Sequence, residues 1–496
     1  GSSMGKNGLD DMSAINIQNG ISTEGYRVVT DARGRSYRVG ETAEQILGRS
    51  RAWMMWLPWL AMMAISVFEY GYGAAADTLQ SHNHWSMSQA FWIVTIWAVF
   101  QPLVAFPAGR LRETGRLPVR TAMLLGAAFA WIGFLTIAST GNVVIVLLGY
   151  SVLGGAGAGL VYASCINIVG KWFPEKRGAR TGFVNGGFAY GAVPFIYVFS
   201  YVFDESNFSL VLNLIGFYML VLIAVCAWFF KDPPKNWWPA HIDPLEWVEQ
   251  AKQERALSAA KNPPAVAQFT PREALRTGQL QLMWAAFWLV GSVSLFGIAY
   301  QIPFAKSLGF GPLVAASSAG VLAVVNGVGR LAVGWISDKI GRKQTLVAVL
   351  VIEGLAQIGL LYTGKAHLEI PFLFMAFLVG FGGGAFYPLF ASIVPDYFGE
   401  NHNASNYGAV YSAKLASSLV GIGIGSALIA AVGYTGAYWL GAMVAFAAAG
   451  VALMLRQPQR PPARAVVAGV TEPPIEDAAG PPAEDPQIDK VREVVG

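Results

Sequence analysis

Apolar stretches of about 20 residues or more recur along the chain, separated by short polar or glycine-rich breaks. At 1.5 Å per residue, each is long enough to cross a hydrocarbon layer of roughly 30 Å. The pattern predicts twelve helices, over 52–76, 86–108, 118–138, 142–170, 179–203, 209–230, 280–305, 312–336, 344–363, 370–394, 404–431 and 435–455, numbered here as spans 1 to 12. The longest internal break, Lys231 to Gln279, is charged and proline-rich and divides the spans six and six, with a short amphipathic helix expected near Pro244 to Leu257. Residues 1–48 are polar and carry no cleavable signal peptide, and Gly1 to Ser3 reads as an expression scar. From Gln457 the Pro/Ala/acidic composition cannot bury enough apolar surface to fold alone, so a disordered tail is expected. The expected plan is therefore a cytoplasmic N-terminal segment (1–48), a first six-helix half (49–230), a cytoplasmic linker (231–279), a second half (280–456) and a cytoplasmic tail (457–496).

Composition narrows the class. Of 496 residues, 54% are hydrophobic and 13% charged, against about 25% charged in an average soluble protein. A soluble enzyme is excluded, and an all-α membrane protein is expected. The net charge of +4 is too small and scattered for nucleic acid. Cys165 and Cys226 lie in apolar runs and read as packing residues, too few for a disulfide framework or a zinc cluster. With both termini cytoplasmic, the loops on that side hold eighteen Lys and Arg, seven of them between Lys231 and Arg276, while the opposite loops hold Lys306 and Lys365. The positive-inside rule therefore fixes the orientation, and the expected setting is a lipid bilayer, the inner membrane of a bacterium, with the chain a monomer. The five histidines lie in or beside loops, and no phosphate-cradling loop is present. Neither an enzyme nor an ATP-driven pump is expected, no metal or cofactor is called for, and solute or proton gradients supply the energy.

The two halves repeat one another. GRLRETGR from Gly109 and GWISDKIGR from Gly334 are offset by 225 residues, and so are Phe173 in KWFPE and Phe398 in DYFGE. Six plus six spans with a Gly/acid/Gly/Arg phrase between spans 2 and 3 and between spans 8 and 9 resemble the major facilitator superfamily, over about 400 residues. The resemblance implies two pseudo-symmetric six-helix halves rocking about a central site. It also implies that Asp338, Arg342, Lys171 and Arg177 act as cytoplasmic gates.

The cargo has to be argued from charges inside the spans, where each one needs a partner, water or a ligand. Arg330 lies mid-span 8, flanked by Gly327, Gly329 and Gly334, and Lys414 lies mid-span 11 on one face with Tyr407, Tyr411 and Ser418. Glu69 lies deep in span 1. It either pairs with one of the cations, closing the gap between halves, or couples transport to protons. Either way one cation is left over, which points to an anion site.

NGVGR before GWISDKIGR in span 8, DYFG and NYG before YSAK in span 11, and KWFPEKRGARTG after span 4 resemble the oxalate/formate antiporter family. The resemblance implies exchange of a small carboxylate held between Arg330, gripping with two parallel bonds, and Lys414, a point charge. It also implies an aromatic surround, for which Tyr70, Tyr162, Tyr190, Tyr387 and Tyr411 are the candidates. Two features depart from that pattern. Gly382, Gly383 and Gly384 stand where a tight cage would want an aromatic wall, so either the cavity is wider or helices pack closely there. Glu69 lowers the site charge from +2 to +1, which suits a monocarboxylate, or a dicarboxylate carried with a proton. Related monocarboxylate transporters are similar in placing an acid four residues before the span-8 arginine, where this chain has Asn326, so proton coupling here falls to Glu69. Rival readings are a proton-coupled symporter, an exporter of drugs or cations that uses Glu69 for recognition, and a non-transporting sensor.

Overall fold

A computed structural model describes residues 25–399 and 401–459; the expected tail lies, from residue 460 onward, outside the described residues. Ten helices among them are long and apolar enough to cross a membrane. Spans 2 to 6 are Met87–Glu113, Val119–Ser139, Val143–Trp172, Pro174–Tyr201 and Glu205–Phe229, and spans 7 to 10 are Gln279–Ser307, Pro312–Ile340, Arg342–Lys365 and Glu369–Phe398. Spans 11 and 12 run together as Ser405–Leu453 but turn at Gly433, whose φ of 70° is open to glycine and strained for other residues. Span 1 is absent from the ten because it is broken into Trp53–Ile65, Val67–Tyr70 and Tyr72–Asn83. Several helices outrun their apolar stretch. Span 2 continues through Arg110 and Arg112, and span 8 through Asp338, because a helix tolerates charged residues where hydrocarbon does not.

Span 6 shows why the bundle needs lipid. Leu210, Leu214, Phe217, Val221, Val225 and Trp228 recur every three or four residues, forming one face that is 43–70% exposed. A stripe of this kind is unfavourable in water and at home in acyl chains. The chain is an integral membrane protein.

Packing follows the repeat. Within the halves, span 2 packs on span 4 and span 8 on span 10, while span 3 packs on span 6 and span 9 on span 12. Between the halves, span 5 meets span 8, span 2 meets span 11 and the second arm of span 1 meets span 7. Adding six to each number maps these contacts onto one another, as a pseudo-two-fold requires. Both cysteines are buried and free.

From residue 25, where the described residues begin, the N-terminal segment is more ordered than its polarity suggests. Arg27–Thr30 and Ser36–Val39 form a β-hairpin, closed by Asp31 Oδ1 accepting from the backbone N–H groups of Arg33 and Arg35. The start of the linker continues it, with Arg38 N donating to Asn236 O at 2.7 Å and Trp238 N donating to Arg38 O at 2.9 Å. Four-residue strands are too short to stand out beside the spans. The linker does contain a helix, Pro244–Ala259, but Pro244 alone on it is buried. Further on, Asn262 ties the linker to Ser337 O and to Arg342 N, on spans 8 and 9.

Candidate functional site

Span 1 breaks where its chemistry lies. Ser66 and Gly71 bracket a four-residue helix, Val67–Tyr70, that carries Glu69 and Tyr70, both buried. Ser66 Oγ donates to Ala189 O at 3.1 Å, pinning the break to span 5. A Cβ at Gly71 would stand 2.8 Å from Val67 O, so a side chain there would disturb the turn. Span 11 is likewise interrupted at Ser412, between Asn403–Tyr411 and Ala413–Ser418, just before Lys414. Ser66, Gly71 and Ser412 keep right-handed helical dihedrals, so these are local distortions of the helix rather than unwound segments.

Arg330 and Lys414 converge on one ring. The Arg330 guanidinium carbon stands 4.7 Å, and the Lys414 Nζ 5.8 Å, from the centroid of Tyr387. Lys414 also stands 5.9 Å from the Tyr411 ring. Arg330 is oriented by Asn326, with Nε donating to the backbone oxygen at 3.0 Å and a terminal nitrogen to Oδ1 at 2.7 Å. Tyr70 OH donates to the same Oδ1 at 3.2 Å, so Asn326 links the arginine to the other half. Lys414, first, and Arg330 are the charges that act on Glu69. The second half thus supplies two cations and the first half one acid. The site carries a formal charge of +1 and is walled by tyrosines.

The other tyrosines are placed unequally. Tyr162 OH donates to Asn185 Oδ1 at 3.2 Å, and its ring meets Phe188, against which Tyr70 also packs. The Tyr411 ring lies 4.9 Å from Phe106 of span 2, across the divide between halves. Tyr190 is set apart: its hydroxyl accepts from Trp59 Nε1 at 2.6 Å, and its ring packs where span 5 meets span 8 at Gly327. Asn185, Phe188 and Phe106 were not singled out in the sequence. Asn185 was readable as a polar residue in an apolar span, whereas the two phenylalanines look like any packing residue.

The glycine run is close packing. A Cβ at Gly382 would meet Glu353 of span 9, one at Gly383 would meet Ser294 of span 7, and one at Gly384 would lie 2.7 Å from Asn326 O of span 8. Successive residues turn by 100°, so three glycines admit three neighbours at once. The aromatic wall is supplied one turn later by Tyr387. Glu353, a fully buried acid, is a further residue not singled out in the sequence, although an acid within VLVIEGLAQ is visible.

The expected gate residues stand at the end of the bundle that holds the linker. Arg342 pairs with Asp338 at 2.8 Å and with Asp396 at 3.0 Å, joining spans 8, 9 and 10. Lys171 lies 3.8 Å from Asp232, which is also held by Arg112 at 2.6 Å, and Arg177 is buried at the start of span 5. The Arg342 pairs lie within the second half, and Asp232, at the start of the linker, ties Lys171 and Arg112 of the first half. At the opposite end, Lys306 reaches Asp77 at 2.9 Å and bridges the halves, and Tyr197 meets Ser317 at 2.8 Å.

The repeat and the pseudo-two-fold agree with what family comparison finds. The model of the Major Facilitator Superfamily matches residues 58–413, and again 282–482. The chain belongs to the major facilitator superfamily. Among its relatives, an oxalate:formate antiporter of Oxalobacter formigenes is 29% identical over 329 residues, covering 66% of this chain and 73% of that protein. Monocarboxylate transporter 12 of Rattus norvegicus is 25% identical over 374 residues, 71% and 74% of the two chains. Solved structures share the fold. A D-xylose-proton symporter superposes with a TM-score of 0.56 at 16% identity, over 81% of this chain and 97% of that one, and a POT family transporter bound to a thioalcohol-conjugated peptide with 0.60 at 15%, over 83% and 97%. The protein is a membrane transporter and not an enzyme.

Proposed function

We propose that this transporter carries small organic carboxylates by alternating access, in exchange for one another, with the anion between Arg330 and Lys414. The observation that carries the reading is the convergence of both cations on the Tyr387 ring opposite Glu69 and Tyr70. Two cations facing one acid leave room for one more negative charge. Arg330, oriented by Asn326, brings a planar guanidinium whose geometry matches a carboxylate, and Lys414 brings a point charge. Tyr411 offers a hydroxyl for an outer oxygen, Tyr70 and Tyr162 do so on letting go of Asn326 and Asn185, and Tyr190 serves the packing of span 5 on span 8. The similarity to an oxalate:formate antiporter and to a monocarboxylate transporter supports the same class of cargo. On this reading the linker end faces the cytoplasm of a bacterium, and Asp338, Arg342, Lys171 and Arg177 latch it.

The test is counterflow in proteoliposomes with a panel of C1 to C6 mono- and dicarboxylates, alongside thermal stabilisation by each. At least one small carboxylate should exchange and should stabilise the protein. Uptake of organic cations with no response to any carboxylate would overturn the reading. Proton symport is the second reading, and Glu69 favours it: a carboxyl acted on by the same two cations the anion would claim is placed to exchange charge with the cargo.

A further inference from the structure

One buried acid takes no part in the site above. Glu353 lies mid-span 9 with no exposed surface. Its Oε1 accepts from Gln357 Nε2 at 2.7 Å, one turn on, and its Oε2 has no hydrogen-bond partner. Oε2 occupies the space a side chain at Gly382 of span 10 would fill.

Among the described residues, the surroundings offer no counter-charge. Span 10 turns Gly382 toward the carboxyl, and its own acids, Glu369 and Asp396, stand at its two ends, each about 20 Å of helix away. Span 12 packs Phe446 on Gly354 and Gly441 near Gln357; its titratable groups, Tyr434 and Tyr438, lie against Phe304 of span 7. On span 8, Arg330 is turned to Asn326 and Tyr387, while Asp338 and Lys339 lie at the linker end. On span 9 itself, Arg342, Lys343 and Lys365 cap the ends. Among the described residues, no Lys or Arg pairs with Glu353.

An ionised carboxylate can accept about four hydrogen bonds. This one receives a single bond, out of reach of water and cations, where a bare charge is expensive. A proton removes the charge. Gln357 suits both states, because its amide donates N–H to a carboxylate and, turned over, accepts from the O–H of an acid at the same 2.7 Å. We propose that Glu353 is a proton-binding site separate from the anion site, loaded while spans 9 and 10 are packed as they are here.

The site is wired to the transport path through span 10. Gly382 precedes Tyr387 by five residues, and Tyr387 is the ring on which both cations rest. A displacement of span 10 that moves Tyr387 also moves the wall against Glu353, and ionising Glu353 favours parting the two helices. The inference does not depend on the cargo being a carboxylate.

The test uses the full chain in liposomes at neutral pH. Infrared spectra should contain a protonated-carboxyl C=O band that Glu353→Gln removes and Glu69→Gln does not; persistence of every such band in Glu353→Gln would overturn the proposal. The transition temperature of the wild type should fall as pH rises from 5 to 9, because an acid neutral in the fold and ionised in the unfolded chain binds more protons when folded. Glu353→Gln should be flatter over that range, and an unchanged slope counts against the site. If Glu353→Gln does not fold, Glu353→Asp withdraws the carboxyl by one methylene and should shift the band. Gly382→Ala, which displaces Oε2, should also shift the band and lower the transition temperature, and wild-type behaviour of both would again overturn the assignment.

Discussion

Arg330→Lys keeps the charge and changes its shape, which makes it the sharpest probe of the anion site. The guanidinium holds two atoms of Asn326, at 3.0 and 2.7 Å, and stands over Tyr387. A single ammonium cannot span both atoms of Asn326 and also present a fork to the cargo. The variant loses at least one charge-assisted hydrogen bond, about 1.5–3 kcal/mol, which corresponds to roughly 10- to 150-fold in affinity. Arg330→Ala and Lys414→Ala remove the charge itself, and truncating one partner of a buried charged pair costs about 2–5 kcal/mol, roughly 30-fold to several thousandfold. The assay is equilibrium binding by thermal stabilisation together with counterflow initial rates, on variants whose elution profile and helicity match the wild type. The three variants should rank with lysine the mildest. Wild-type uptake by either alanine variant would refute the anion-site assignment, and full activity of Arg330→Lys would refute the two-pronged grip.

Asp338→Asn loosens Arg342 while leaving it Asp396, so turnover should slow with ligand affinity within a few fold; a large affinity loss at unchanged turnover would refute the gating role. Asp232→Asn leaves the fully buried Arg112 without its carboxylate, a loss of about 3 kcal/mol that a lowered transition temperature should report. Burial works against ionising Asp232, but the hydrogen bonds and charge of Arg112 outweigh it and hold its carboxyl below the usual 3.8. Because the folded value is depressed, this stabilisation is present above about pH 3.8 and lost on acidification through the lower value. The difference between variant and wild type should therefore be constant from pH 5 to 8, and a difference that fades within that range would contradict the pairing. Glu69→Gln should leave carboxylate exchange intact if exchange is the mode; lumenal acidification without trans substrate that disappears in Glu69→Gln would establish symport instead.

The fold was legible because lipid imposes a coarse rule. Twenty apolar residues can do little but span, and basic phrases offset by 225 residues mark a duplication. What the rule could not show is where a span breaks. The short helix Val67–Tyr70 is held by Ser66 bonding to Ala189, a residue 123 positions away. The cations were legible since charge in hydrocarbon needs a reason, and by the same criterion Glu353 should have been noticed. Tyrosines were legible only as a pool: the one that packs on Trp59 and the one shared by two cations differ by what lies on other spans. The triple glycine admitted two readings, because whether a missing side chain leaves a void or a contact is decided by the neighbours. Here Glu353, Ser294 and Asn326 fill the space.

The division of charge between halves bears on coupling. Both cations belong to the second half and Glu69 to the first, so on the proposed reading cargo and Glu69 are rivals for Arg330 and Lys414. Before cargo binds, the formal site charge is +1, and a monocarboxylate brings it to zero with Glu69 ionised. A dicarboxylate would bring it to −1, unless Glu69 takes up a proton. On that reading an anion that occupies both cations competes with the Glu69 carboxylate for them, and by linkage a protonated Glu69 binds that anion more tightly. If reorientation across the low-dielectric barrier favours a neutral site, one carrier moves monocarboxylates without protons and dicarboxylates with one. The charge of the cargo, rather than a dedicated proton path, then decides the stoichiometry, and exchange and symport become two loads of the same site.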